Sequence, residues 1–169
     1  MARASDPVVA TSDWPAVLPA PLQDFLQYWQ ALRDAGGGVP PKCAVDPLRM
    51  PRHLLPHLGL VDAHPDGTLE AGGRLNLRFR LLGTGHHRAT GRDYSGRWFD
   101  ELYSPEQVEA FEREYRGILL DGKPGYARRA SLKLNREFIM FQRILAPLLD
   151  ATGRPHHVIG YWHWESLDS

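Results

Sequence analysis

One strong helix signal stands between two groups of strand-like segments in this chain of 169 residues. The run Ser104-Pro105-Glu106-Gln107 has the form of a capping box with proline at the first helical position, and Asp121-Gly122 can end the helix. Strand-like segments lie on both sides of it, at 58–63, 75–81, 125–134, 138–147 and 156–166. Strands and helices segregated in this way predict an α+β fold with an antiparallel sheet of about five strands.

The second of these segments shows most clearly the alternation of a half-buried strand. Its apolar residues occupy every second position, at Leu75, Leu77, Phe79 and Leu81. The residues between them include Arg78 and Arg80, which are expected on the outer side because side chains alternate between the two faces of a sheet. Arg128 and Arg129 are expected to extend this outer side into a basic surface.

An amphipathic helix is predicted over residues 21–35, outside the sheet. Its apolar positions recur with helical spacing, at Leu22, Phe25, Leu26, Trp29 and Leu32. This apolar face either packs on the domain's own core or forms a dimer interface. The candidate interface residues are Phe25, Trp29, Leu32, Trp162 and Trp164. The last two are expected on the outer face of the final strand, where they would form a docking surface.

Residues 1–18 are polar, small and proline-containing, so they are predicted to form a flexible tail before a single domain over 19–169. Lys plus Arg and Asp plus Glu both number 20, which argues against a nucleic-acid partner, because phosphate contacts normally require a basic excess. The same zero net charge removes one defence against self-association, and we expect a homodimer. No run of residues has the length and apolarity of a membrane span.

A reducing compartment is expected for this chain, because Cys43 has no second cysteine with which to form an internal disulfide. The first residues also lack the apolar stretch of a signal peptide. Together these observations predict a cytoplasmic protein.

The order of predicted elements, with short helices between the second strand and the long helix, resembles the PAS fold. More narrowly, the chain is similar to a bacterial PAS-like family formerly catalogued as a domain of unknown function. The matching motifs span roughly residues 25–165, and they are Leu32-Arg33, Asp46-Pro47, 79–84, 91–96, Pro147-Leu148 and Gly153.

This resemblance implies a curved sheet around a cavity that is covered by helices, and a role in signalling through a separate partner protein. The candidate cavity residues are Phe79, Leu81, Tyr94, Trp98, Phe99, Phe111, Tyr115, Phe141, Tyr161 and His163. Such a lining would suit a small apolar or amphipathic ligand. The alternative is that these residues fill the core and that the domain acts by ligand-free dimerisation or docking.

The identity of any cofactor is left open by the sequence, but the resemblance disfavours haem and flavin. Residues 105–121 contain no histidine, cysteine or methionine to bind haem iron, and the connector has no cysteine of the kind that light-sensing flavin members use. His53 and His57 have the i, i+4 spacing of helical metal ligands, but Pro56 lies between them. The adjacent pairs His86-His87 and His156-His157 would point to opposite faces of a strand, so no metal is expected. No catalytic motif is present and no enzyme is expected, although a histidine-rich active site is a third hypothesis.

Overall fold

The structure is a computed structural model that describes residues 13–135 and 137–165. Most of the predicted tail, residues 1–12, lies outside the described residues. The remainder of that segment contacts the domain, because Leu18 packs against its core and the ring of Trp14 lies 5.7 Å from that of Tyr126. The domain contacts therefore begin before residue 19.

Five antiparallel strands form one sheet, as the sequence predicted. They are β1 (Leu58–Pro65), β2 (Leu75–Leu82), β3 (Gly125–Leu132), β4 (Phe138–Leu148) and β5 (His157–Trp164). Their order across the sheet is β2-β1-β5-β4-β3, so the first and last strands of the chain lie side by side in the middle. This topology and the helical connector between β2 and β3 confirm the α+β, PAS-like fold.

The helices are α1 (Ala20–Gly36), α2 (Thr84–Thr90), α3 (Phe99–Leu102) and α4 (Pro105–Asp121). The predicted capping box is present at the start of α4, where the Ser104 hydroxyl accepts from the Gln107 backbone and the Gln107 side chain accepts from the Ser104 backbone. A short 3-10 helix follows α1 at Lys42–Ala44, and another at Arg52–His57 contains Pro56. Proline removes a backbone donor, which accounts for the irregular path before β1.

Both faces of the sheet are covered, and each carries its own core. The connector-side core lies between the sheet and α2, α3 and α4, and it includes Phe79, Phe99, Tyr115, Phe141 and Trp162. The α1-side core lies on the opposite face and includes Leu22, Phe25, Trp29, Ile144 and Tyr161. The sheet is therefore the middle layer of a three-layer domain.

Helix α1 packs on its own sheet. Phe25 and Trp29 are fully buried, and the Trp29 indole Nε1 donates to the Pro147 carbonyl at 3.0 Å. Leu32 is half-buried near the end of the helix. Of the two explanations for the apolar face of α1, packing on the domain itself is the one that the structure shows, while the homodimer stays a prediction.

A β-bulge in β2 corrects the expected position of Leu81. Val61 pairs with Phe79, but Leu60 pairs with Leu81, so Arg80 is the extra residue on β2. One extra residue reverses the alternation beyond it. Leu81 therefore lies on the α1 side and is 63% exposed, whereas Leu82 packs against the connector-side core.

The faces of β5 are the reverse of those expected. Trp162 and Trp164 are buried in the connector-side core, so they form no exposed docking surface. Tyr161 lies in the α1-side core, and His163, two residues further along β5, lies on the same face. The prediction was wrong because the apolar residues of β5 occupy both faces of the strand, which leaves no alternation to read.

Candidate functional site

The interior between the sheet and the connector contains a small cavity of about 40 Å³. Most of the predicted ligand-binding residues are here, and the full lining is Phe79, Tyr94, Phe99, Tyr103, Phe111, Tyr115, Arg129, Ser131, Phe141, Arg143 and Trp162. A water molecule needs roughly 10–15 Å³ of such space, so the cavity has room for a few small atoms only. Whether these residues bind a ligand stays a prediction.

Aromatic rings fill the rest of the interior. The ring centroids of Phe79 and Phe99 are 4.5 Å apart, and Phe99 also meets Phe111 at 5.4 Å and Tyr115 at 5.6 Å in edge-to-face contacts. Such pairs stabilise a core beyond the area that they bury. The interior is therefore a packed core with one small void.

Four of the predicted cavity residues lie elsewhere. Leu81, Tyr161 and His163 are on the α1 side of the sheet for the reasons given above. Trp98 lies outside the connector-side core, where its ring contacts the Arg78 guanidinium at 5.3 Å and the His64 ring at 5.7 Å. Trp98 follows Gly96, whose φ of +77° turns the chain at this point.

The polar part of the interior is an ion cluster that the sequence did not reveal. The Glu114 carboxylate on α4 accepts from Arg129 Nη2 at 3.0 Å, and it also accepts from Arg143 Nη2. Arg143 is 3% exposed and its Nε has no hydrogen-bond partner among the described residues. Burial acts to lower the pKa of Arg143, but the Glu114 carboxylate together with the neighbouring Tyr115 and Tyr103 outweighs burial and raises the pKa, so the guanidinium stays charged.

Tyr115 adds an uncharged hydroxyl beside this cluster. Its side chain is 1% exposed, and burial raises the pKa of its phenol above the ordinary value. The hydroxyl therefore stays protonated at neutral pH. The Arg129 and Arg143 guanidinium groups line the cavity, and the Glu114 carboxylate pairs with both of them.

A second and much larger hollow lies on the α1 side of the sheet, and we call it the outer groove. Its volume is about 500 Å³, and it is lined by Lys42, Val45, Pro47, Met50, Leu55, Pro56, Leu58, Gly59, Leu60, Leu81, Leu82, Gly83, Thr84 and Ile159. Drug-sized ligand sites measure about 300–1,000 Å³, so the outer groove has the dimensions of a small-molecule site.

The chain on both sides of β1 builds the walls of the outer groove. Residues 46–50 form a turn in which the Leu48 backbone donates to Asp46 Oδ1 at 2.9 Å, and this turn carries the buried Met50. At the other wall, Gly83 passes so close to Leu55 and Pro56 that an added Cβ would lie 2.4 Å and 2.3 Å from their carbonyl oxygens. Only glycine fits at that crossing.

The floor of the outer groove contains Gly59, which belongs to a pair of glycines on neighbouring strands. Gly59 on β1 pairs with Gly160 on β5, and added Cβ atoms at these positions would lie 2.7 Å and 2.6 Å from the Trp162 indole. The indole therefore packs closely against bare backbone on the connector side of the sheet, and Gly59 separates it from the outer groove. Glycine is required because a methyl group would displace the ring.

Lys42 is the one charged side chain among the described residues that line the outer groove. Its ammonium forms no ion pair with a described carboxylate. The backbone of Lys42 is fixed by a 2.8 Å hydrogen bond from its N–H to the Leu149 carbonyl. The outer groove thus combines an extended apolar surface with one lysine whose backbone is held in place on the wall.

Neither Lys42 nor Arg143 was expected from the sequence to belong to a site. Arg143 lies on a strand that is buried on both faces, and no pattern distinguishes it from a surface arginine. Lys42 lies in a proline-containing connection whose path depends on the contact with Leu149. Arg129 was expected on the outer face, but it points to the connector side, whereas Arg128 forms the outer ion pair with Glu165 at 2.7 Å.

No set of three His, Cys, Asp or Glu residues in the described part of the chain is arranged to hold a metal ion. The described helices likewise include none with the length and apolarity to span a bilayer.

Three solved structures that resemble this chain are light receptors of low sequence identity. A fungal LOV domain photoreceptor linked to blue-light and oxidative stress is 18% identical, with a TM-score of 0.48 over 83% of this chain and 93% of that one. An aureochrome LOV domain in its light state is 13% identical, with a TM-score of 0.42 over 67% of this chain and 84% of that one. An RNA-binding light-oxygen-voltage receptor is 16% identical, with a TM-score of 0.45 over 96% of this chain but only 38% of the receptor.

The expectation that flavin is disfavoured stays a prediction. The interior residues as they stand do not fit a flavin, because the cavity of about 40 Å³ is far below the size of cofactor sites, which is roughly 300 Å³ or more.

No curated protein matches the chain in sequence. The family profile described as PAS domain, however, matches residues 17–163, which includes all four helices and the whole sheet except the last residue of β5. The match covers most of the chain and agrees with the observed topology, so this protein belongs to the PAS domain family.

Proposed function

We propose that this protein is a PAS signalling module that senses a small amphipathic molecule, a carboxylate with a short apolar chain, through the outer groove. Domains of this family are typically sensory modules rather than enzymes. The observation that carries the proposal is the contrast in volume between the interior cavity, at about 40 Å³, and the outer groove, at about 500 Å³.

The apolar part of the ligand would lie along β1 and the end of β2. Leu81 is 63% exposed on this wall because of the β-bulge, and Leu58, Leu60 and Ile159 line the floor beside it. Each methylene removed from water here is worth about 0.8 kcal/mol, or about fourfold in affinity. A chain that fills the outer groove would therefore bind far more tightly than its head group alone.

Lys42 would bind the anionic head. An ammonium that pairs with no carboxylate of the described residues, at the wall of an apolar groove, favours a ligand with a carboxylate at one end and a hydrocarbon at the other. A neutral apolar molecule would use the same surface but gain nothing from the charge.

A signal could leave the outer groove through the Leu58 carbonyl. This oxygen accepts the Gly83 N–H at 2.9 Å and lies 3.0 Å from Nε2 of His86 on α2. The His86 ring in turn contacts Trp162 edge-on at 5.0 Å. A ligand that prefers one position of Leu58 would thus bias α2, and a separate partner protein would read that change.

Isothermal titration calorimetry with straight-chain carboxylates of eight, ten and twelve carbons tests the proposal. We expect affinity to rise with chain length until the outer groove is full. Leu81→Trp is expected to weaken binding at least tenfold, because the indole occupies ligand space. Lys42→Gln is expected to weaken binding of the carboxylates about two- to fivefold, the effect of one partly exposed ion pair, and to leave the matching alcohols unchanged.

Leu120→Trp serves as the matched control, because Leu120 is also an exposed leucine, 46% accessible, but lies on α4 away from the outer groove. Binding that is unaffected by Leu81→Trp, or equal losses for acids and alcohols in Lys42→Gln, would contradict the proposed site.

The second candidate function is a ligand-free docking module, which the nearly filled interior favours. Sedimentation of the unmodified chain separates the two. A concentration-dependent dimer that Leu81→Trp dissociates, together with no binding of any carboxylate, would make the outer groove an interface between two copies.

A further inference from the structure

We propose that the α1 side of the sheet, next to the outer groove, binds an acidic segment of a separate partner protein. The surface consists of Lys42, Asp62, Arg78, Arg80 and His157, and we call it the cationic row. It needs no ligand in the outer groove, so it does not depend on the function proposed there.

The cationic row crosses strands that α1 does not fully cover. Asp62 on β1 lies opposite Arg78 on β2 in one strand pairing and opposite His157 on β5 in the other. Helix α1 packs mainly on β4 and β5. The side chains of Arg78 and Arg80 are 36% and 48% exposed, so both are open to a partner.

One buried carboxylate fixes the arginines of the cationic row. The Asp62 side chain is 2% exposed, and its Oδ2 accepts from Arg80 Nη1 at 3.1 Å and from Arg78 Nη2 at 3.5 Å. Its Oδ1 lies 2.8 Å from His157 Nδ1. Guanidinium groups that are held in place beforehand lose less side-chain entropy when a partner binds.

The cations of this surface outnumber the carboxylates with which they pair. Asp62 is the one described carboxylate that forms an ion pair with Arg78 or Arg80, and Lys42 forms none within the described part of the chain. Burial lowers the pKa of His157, so its ring adds no positive charge at neutral pH. Three cations therefore share one carboxylate, and the cationic row attracts anionic groups.

The chemistry of the cationic row favours a protein as the partner. The Arg78 guanidinium lies 5.3 Å from the centre of the Trp98 ring, and arginine and tryptophan often dominate the energy of protein interfaces. The formal net charge of zero gives the chain no general attraction to nucleic-acid phosphates. A second copy that used the same surface would place cations against cations.

The strand spacing indicates where the partner's carboxylates should lie. Neighbouring strands are about 4.8 Å apart, so the cationic row extends roughly 10 Å from β2 to β5. Glutamates at alternate positions of an extended segment are about 7 and 13 Å apart, and their flexible side chains can reach the distance between. Guanidinium groups bind such carboxylates through charge-assisted hydrogen bonds.

The test is fluorescence anisotropy with a labelled twelve-residue peptide in which glutamate alternates with threonine. The control peptide has glutamine in place of glutamate and should bind at least tenfold more weakly. We expect the affinity of the glutamate peptide to fall as salt is added, because salt screens exposed charges. No groove ligand is present in this titration, so its failure would leave the proposal for the outer groove standing.

Arg80→Gln is expected to weaken binding of the glutamate peptide about two- to fivefold, the effect of one partly exposed ion pair. Asp62 keeps Arg78 and His157 as partners in this variant, so the protein should fold. Arg113→Gln is the matched control, because it removes the same charge from α4, where Arg113 pairs with Glu109 at 3.6 Å. Its affinity should equal that of the unmodified chain.

Nitrogen–proton NMR spectra of the unmodified chain give a second readout that needs no variant. The glutamate peptide should shift the backbone signals of Arg78 and Arg80 and the indole signal of Trp98. No binding, shifts confined to other residues, or equal weakening in Arg80→Gln and Arg113→Gln would contradict the proposal. Tighter binding of a single-stranded oligonucleotide at these residues, or a dimer in sedimentation that Arg80→Gln dissociates, would assign the cationic row to a different partner and also overturn it.

Discussion

The side chain of His86 is held in its neutral form by its position. It is 5% exposed on α2, its Nε2 lies 3.0 Å from the Leu58 carbonyl, and its ring contacts the indoles of Trp162 and Trp164. Burial lowers the pKa of His86 to about 4, because an imidazolium would lose its hydration among these aromatic rings. A pH-sensitive contribution to stability follows from this single residue.

We expect the free energy of unfolding to fall as the pH is lowered from about 6.5 to about 4. In this window the unfolded chain takes up a proton at His86 that the native protein does not, so acid favours the unfolded state by up to ~3 kcal/mol. Urea unfolding of His86→Gln over the same pH range is the test. In this variant the free energy of unfolding should depend less steeply on pH, by the equivalent of about one proton.

His87→Gln provides the matched control for that experiment. His87 is the adjacent residue on α2 but is exposed, so its replacement should leave the pH slope of the unmodified protein. The other groups that titrate, including His157 and Asp62, are present in all three proteins and cancel in the comparison. Equal slopes for both variants would show that His86 is not the residue responsible.

At the level of elements, α1 is part of the domain rather than an appendage to it. Trp29 is 1% exposed and bonds to the Pro147 carbonyl, so Trp29→Ala removes both an aromatic side chain and the partner of a buried carbonyl. We expect a loss of about 3–5 kcal/mol in the free energy of unfolding, measured by urea denaturation. Gln30→Ala, on the exposed side of the same helix, should change stability by less than about 0.5 kcal/mol.

A different outcome is that Trp29→Ala changes the oligomeric state and leaves the free energy of unfolding unchanged. That result would contradict the assignment of α1 to its own domain. In that case α1 would act mainly between two copies of the chain. The packing of Leu22 and Phe25 on the sheet argues for the intramolecular role.

The sequence predicted the elements well because their signals are local. The capping box at Ser104 and the alternation from Leu75 to Phe79 each depend on near neighbours in the chain. The faces of the later strands were not predictable in this way. In β5 both faces are buried, so Trp162 and Tyr161 carry the same apolar signal on opposite sides.

The candidate site was predicted only in part, and the reason is again physical. The position of Leu81 depends on one extra residue in a strand pairing, and the outer groove depends on where residues 42–50 cross the sheet. Both are products of tertiary contacts. The aromatic interior, in contrast, was largely predicted, because Phe79, Phe99 and Phe111 are apolar in every conformation the chain could adopt.

At the scale of the whole molecule, two hydrophobic cores share one sheet. Val61 and Val158 belong to the connector-side core, while their neighbours Leu60 and Ile159 belong to the α1-side core or pack against it. Each core is formed on one face of strands whose opposite face forms part of the other core, so unfolding of one core would disrupt the other. The two are therefore expected to unfold together.

We expect a single cooperative transition in calorimetry, with the calorimetric enthalpy equal to the van't Hoff enthalpy. Hydrogen exchange should give the same opening free energy for backbone amides of β1 and β5, which lie in the middle of the sheet. Two separate transitions, with α1 released before the strands, would contradict this coupling.

The bare backbone at Gly59 and Gly160 has a practical consequence. The indole of Trp162 lies against Gly59, which lines the outer groove, and it also lines the interior cavity, so one aromatic ring lies next to both hollows. Indole emission depends on the polarity and the charges around the ring. The protein therefore contains an intrinsic fluorescent probe, and the wavelength of its maximum emission should shift when either hollow is filled.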